Sequence, residues 1–173
     1  MNFQSQFCQI SYRGRNTQPL TEQQISEIRA YATTLGIPSH ILYFSESMNT
    51  SYGNIFGREI IYIGCDIAPL SNPPISGLSA NSRISIRASL AHEWIGHRGA
   101  EVAGRSFNRG TLVSPSFFNI ALDEAQASIR AARFAPLLTS IERYTLLRDS
   151  IARLKNQGQS IRQVRHLLFI SQP

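Results

Sequence analysis

The sequence predicts an α+β domain, a small N-terminal sheet followed by a helical C-terminal half. Two observations carry that expectation. Residues 59–64 (Glu-Ile-Ile-Tyr-Ile-Gly), in the first half, form the best strand pattern in the chain, rich in β-branched residues. Helix start and stop signals then follow one another in the second half. With 173 residues and 42% hydrophobic content, the chain is long enough for one domain with a real core.

Taken in order, residues 1–19 read as irregular or as an edge strand ending at Pro19. Thr21 and Gln24 form a capping box, Ile25, Ile28, Ala32 and Leu35 follow at helical spacing, and Gly36 and Pro38 stop the helix. Residues 41–45 read as a short strand, and 46–54 as a polar turn region. Residues 68–82 contain three Pro, one Gly and repeated Ser and Asn, a loop composition. A helix is expected over 84–98, capped by Ser82 or Ser85, with a loop or a frayed end plus a loop over 99–111. Ser114 as N-cap and Pro115 at the first position open a helix over 115–134, closed by Pro136. Ile141, Tyr144, Leu147, Ile151 and Leu154 mark an amphipathic helix ending near Gly158. Ser160 and Gln163 repeat the capping-box pattern, and Ile161, Val164, Leu167 and Leu168 are expected to face inward from a last helix. The whole chain, 1–173, reads as a single domain, whether it stands alone or is cut from a longer protein.

Composition excludes several classes. No apolar run is long enough to span a membrane, and residues 1–10 are too polar and mixed for a secretory signal, so the chain is expected to be made in the cytoplasm. Cys8 and Cys65 are compatible with a pair or with two free thiols. The net charge of +6 is uneven. Residues 1–97 carry six Arg and six acids, whereas 98–173 carry ten Arg and one Lys against five acids. A basic half can serve nucleic acid, anionic lipid or an acidic protein partner, or can simply be the solvated face of helices. No nucleic-acid-binding motif accompanies it.

The segment Ala91-His92-Glu93-Trp94-Ile95-Gly96-His97 carries the chemistry. Neutral imidazole is a standard zinc ligand, and a Glu beside the first His is placed to take a proton from water activated by the metal. The spacing departs from the usual H-E-x-x-H, because the second His stands at i+5. On an ideal helix, i and i+4 lie about 40° apart but i and i+5 about 140° apart. Both imidazoles can hold one ion only if the helix takes up an extra residue as a π-bulge or unwinds at Gly96 or Gly99. Glu124, on the next expected helix and 27 residues after His97, is the leading third ligand, with Glu101 the alternative. Asp123 is then placed to accept a hydrogen bond from a ligand imidazole. Glu93 is the general base. Arg130, Arg133 and Tyr144 are candidates to stabilise an oxyanion, and the strand at 59–64 could take up an extended peptide along its edge. His40 and His166 read as structural or surface residues, and Cys65 beside Asp66 as a small buried thiol rather than a metal pair.

These residues support a resemblance. His92-Glu93-Trp94-Ile95-Gly96-His97 looks like the H-E-x-x-G-H variant of the zincin metallopeptidases and is similar to the motif of dipeptidyl-peptidase-III-type enzymes. The run from Asp123 to Ala127 resembles that family's second motif. The resemblance implies a minimal zincin-like domain in which His92, His97 and Glu124 bind Zn²⁺ and Glu93 is catalytic. The chain is far smaller than those enzymes and looks more like the compact metallopeptidase domains of bacterial polymorphic, Rhs-type toxins. That implies a protein or peptide substrate, delivery as part of a larger effector into a target cell, and a cognate immunity protein. Two other readings stand beside it. One is a metal-dependent nuclease, suggested by the +6 charge. The other is a metal-free protein-interaction module.

Overall fold

The computed structural model of the chain describes residues 14–71, 80–107 and 116–173. They form an α+β domain. Helix α1 (Glu22–Thr34) precedes a three-stranded sheet of β1 (Leu42–Phe44), β2 (Ser51–Ile55) and β3 (Arg58–Ile63). Helix α2 spans 86–102, α3 is Phe117–Phe134, α4 is Ser140–Lys155, and the short α5 is Ile161–Val164. None of the described helices is long and apolar enough to cross a membrane.

Helix α1 starts at the expected box: Thr21 Oγ1 accepts from Gln24 N–H, and Gln24 Oε1 accepts from Thr21 N–H. Gly36 closes it at φ 70°, a conformation only glycine adopts without strain. In the sheet, the order is β1-β3-β2, with β1 parallel and β2 antiparallel to β3. The strand at 59–64 is therefore central and has no edge to offer a peptide. Among the described residues the outer edges belong to β1 and β2. Strand β2 lies within the region that reads as a polar turn from sequence, because Ser51, Gly53 and Asn54 carry little β propensity. Pairing with β3 makes it a strand, through a two-residue turn at Phe56 and Gly57, both at positive φ.

Helix α2 begins at Ser85, whose Oγ accepts from Ala88 N–H; Ser82 lies in the preceding turn instead. The helix continues past the expected end, through Gly99–Val102. Helix α3 is capped by Ser116, whose Oγ accepts from Asn119 N–H, while the expected cap at Ser114 and Pro115 lies outside the described residues. Helix α4 opens with a second capping box, Thr139 with Glu142, that the sequence reading passed over.

The apolar stripe read on α4 faces outward. Ile141, Tyr144, Leu147 and Ile151 are exposed, and only Leu154 of that set is buried. The inner face carries Leu146 and Leu154 together with Thr145, Asp149 and Ser150. Each polar member of that face has a partner: Asp149 accepts from Ser128 of α3, while Thr145 and Ser150 donate to the carbonyls of Glu142 and Leu147 in their own helix, so burying them is not penalised. In the C-terminal segment Val164 and Leu168 are buried as expected, while Leu167 is exposed.

Two cores result. One joins α1, β3, α2 and the ends of α3 and α4 through Ile28, Ile61, Ile63, Leu90, Trp94 and Leu146. The other joins α3, α4 and the C-terminal segment through Leu122, Ile129, Leu154, Val164 and Leu168. Arg15 stitches the N-terminal segment onto the first. It is buried, and its guanidinium donates to the carbonyls of Asp66, Ile67, Asn81 and Ile84 and to Ser89 Oγ. Burial lowers its pKa to about 10, which leaves it charged at neutral pH.

Glu142 ties α4 to the start of α2, since it accepts both from the Thr139 cap and from Ser85 Oγ at 2.7 Å. Burial pushes its carboxyl up, but these hydrogen bonds and the nearby Arg87 outweigh it and hold the pKa low. A depressed folded-state pKa stabilises the fold above the unfolded carboxyl value and loses that contribution as pH falls through the folded one. Glu142→Ala is expected to cost about 1–2 kcal/mol in urea unfolding at pH 7. The gap should narrow as pH falls below the unfolded carboxyl value of about 4.3 and wild-type Glu142 takes up a proton.

Candidate metal centre and cleft

The fold resolves the i+5 problem by winding. Helix α2 is α-helical over Ile86–Ala91, π-helical over His92–Arg98 and α-helical again over Gly99–Val102. The wider turn brings His92 and His97 onto one face, with ring centroids 4.7 Å apart and edge to face. The helix does not unwind at Gly99, whose φ and ψ of −59° and −39° are helical. Gly96 serves packing rather than the bend. A Cβ there would stand 2.6 Å from Ala127 O and 2.7 Å from Ala127 Cα, so its absence lets α3 lie directly on α2.

That approach delivers Glu124. Its Oε2 is 3.3 Å from His92 Nε2 and its Oε1 is 3.5 Å from His97 Nε2. One atom from each of the three residues lies within 4.8 Å of the others. A tetrahedral zinc with bonds of about 2.0–2.1 Å places its ligand atoms roughly 3.3 Å apart, so the two imidazole–carboxylate separations and the donor set fit such an ion. Glu101 lines the same cleft but stands outside this group. His40 and His166 are exposed and outside it too. Cys65 is partly buried and unpaired, and its thiol is pushed up by burial; Cys8 lies outside the described residues. Its neighbour Asp66 accepts from Thr50 N–H and Oγ1, a structural use.

The far nitrogen of each imidazole is also held. Asp123 Oδ2 is 3.1 Å from His97 Nδ1, while Asp123 Oδ1 accepts from Phe107 N–H and Ser106 Oγ. His92 Nδ1 is 3.0 Å from Ser128 Oγ. Burial opposes charge on His97, Asp123 and Glu124, and their pairing overrides it. The bonds to Asp123 and Glu124 raise His97 well above the usual imidazole value. Arg153, with Nη1 3.0 Å from Glu124 Oε2, and then the imidazoles hold Glu124 well below the carboxylate range. Asp123 is likewise lowered, chiefly by its bond to His97.

Glu93 is buried behind the cleft. Its Oε2 accepts from Tyr52 N–H at 2.8 Å, which ties α2 to β2. Burial raises its carboxyl, against the lowering effect of His97 and His92. An open cleft of about 1150 Å³ runs over this group, bordered on one side by β2 residues Ser51, Tyr52, Gly53 and Asn54. None of the oxyanion candidates reaches it. Arg130 is buried and donates to the carbonyls of Ile95, Phe169 and Gln172, and Arg133 and Tyr144 are exposed away from the lining. The cation that does line the cleft beside Glu124 is Arg153. It escapes sequence reading because a single Arg in a charged helix face gives no signal.

No family model matches the chain, and neither a curated protein nor a solved structure shows detectable similarity to it. The site's chemistry rests on its own geometry. Gly96→Ala tests the packing that builds it. The added methyl meets backbone, which cannot rotate away, so a loss of about 3 kcal/mol is expected in denaturant unfolding of the metal-free protein.

Proposed function

We propose that the protein is a zinc-dependent peptidase. The observation that carries this reading is the convergence of His92 Nε2, His97 Nε2 and Glu124 in an open cleft that also holds the buried carboxylate of Glu93. A zinc ion held by those three residues would acidify water and polarise an amide carbonyl. Glu93 is suited to move the proton. Tyr52 N–H fixes its Oε2, and burial makes the carboxylate a better proton acceptor than an exposed one. Oε1 then takes the proton from water and returns it to the leaving nitrogen. A peptide substrate would run along β2, which among the described residues pairs with a strand on one side only and borders the cleft, rather than along β3.

The nuclease alternative fits less well. Asp66, Glu93, Glu101, Asp123, Glu124 and Asp149 all line the cleft, against only Arg15 and Arg153 among the described residues. Both cations are already bonded to protein groups. A phosphodiester would enter a negative field there. The toxin setting and its immunity partner rest on the motif resemblance. Growth arrest on intracellular expression of wild type, absent with Glu93→Gln, would support them.

Elemental analysis of the purified protein is expected to find about one zinc per chain, in line with a three-ligand site. His97→Ala and Glu124→Ala should each lose it. Glu93→Gln should keep the metal while hydrolysis of an unstructured protein substrate falls by at least about 100-fold. A wild type that takes up no zinc at neutral pH would end the peptidase reading.

A further inference from the structure

Helix α4 contributes no ligand, yet its inner face reaches both sides of the metal centre. Ser128 Oγ donates to Asp149 Oδ2 at 3.0 Å and stands 3.0 Å from His92 Nδ1. Arg153 Nε donates to the same Asp149 oxygen at 2.7 Å, and Arg153 Nη1 reaches Glu124 Oε2 at 3.0 Å. Glu124 Oε2 in turn faces His92 Nε2 at 3.3 Å. The contacts close a ring: His92, Ser128, Asp149, Arg153, Glu124 and back to His92. Ser128 is fully buried and Asp149 nearly so.

A hydroxyl has one proton to give. A carboxylate can only accept, so that proton belongs to Asp149. Ser128 Oγ must then accept from His92, which places a proton on Nδ1 and leaves Nε2, the nitrogen on the Glu124 side, as the one that a metal ion would take. We propose that the Ser128–Asp149–Arg153 chain positions the metal ligands, with Ser128 and Asp149 fixing His92 as its Nε2-ligating tautomer and Arg153 holding Glu124. His97 receives the same service directly from Asp123, so the two imidazoles are set by different devices. None of these three residues contacts substrate in this role. The inference rests on the metal-site reading but not on peptidase activity.

Zinc affinity, measured by chelator competition on the full chain at neutral pH, tests it. Ser128→Ala and Asp149→Asn should each weaken zinc binding about 10–100-fold, the usual effect of losing a group that orients a ligand. The double variant should be no weaker than the poorer single one, because both changes cut one relay. A cobalt-loaded sample of each variant should show the same altered visible bands. Circular dichroism and a thermal melt separate misfolding from a changed site. If either variant misfolds, Arg153→Met supplies an independent cut, with a similar loss of affinity expected. Losses that add in the double variant, or affinities within about twofold of wild type, would overturn the relay with the zinc site intact. Absence of zinc binding by the folded wild type would overturn the metal site itself.

Discussion

Two imidazoles five residues apart must face one carboxylate, and the rest of the molecule is arranged around that demand. The π-helical stretch His92–Arg98 meets it, but a π-turn is poorly stable alone and survives where packing holds it. Three contacts do so. Trp94 Nε1 donates to Leu35 O at the end of α1, Arg130 Nε donates to Ile95 O within the widened turn, and Gly96 lets α3 close on the helix with no side chain between. Arg130 is itself anchored to the C-terminal carbonyls of Phe169 and Gln172. The end of the chain thus supports the middle of α2. Ala127 of α3, which meets Gly96 directly, is the other half of that closeness, and it is buried.

Burying this many ionisable groups is costly unless each is paired. The described interior meets that condition, since no buried side-chain nitrogen or oxygen lacks a partner among the described residues. Helix α4 shows what the arrangement displaces. Beside Leu146 and Leu154, its inward face carries Thr145, Asp149, Ser150 and Arg153 where a purely structural helix would place Leu or Ile, while Ile141, Tyr144, Leu147 and Ile151 lie outside. Amphipathicity on α4 therefore reports the outer surface, and the polar face reports the site.

This inversion explains where the sequence was legible and where it was not. The first helix was readable because its signals are local, a capping box and a glycine stop. The grouping of the two imidazoles with the Glu124 of α3 was readable because the donor types are few and their spacing poses a geometric problem with few solutions. Strand β2 was invisible because Ser51, Gly53 and Asn54 become a strand only through pairing with β3. The orientation of α4 was misread because periodicity assumes an apolar interior, which fails wherever a polar network is buried. Arg130 was misplaced for a related reason. A guanidinium can cap backbone carbonyls as readily as an anion, and only tertiary structure shows which.

The charge of the chain needs the same separation of inside from outside. The net +6 suggests a polyanionic partner when read as a single number. The cleft has the opposite sign. Six carboxylates line it against two guanidiniums, and groups of both signs are bonded within the protein. A divalent ion offsets part of that excess without reversing it. Fields from exposed arginines on other faces decay within about a Debye length, roughly 8–10 Å in physiological salt, whereas groups lining a partly enclosed cleft are screened far less. The local carboxylates therefore set what the site attracts. Any affinity of the basic outer surface for an acidic partner is a separate property, carried by different residues.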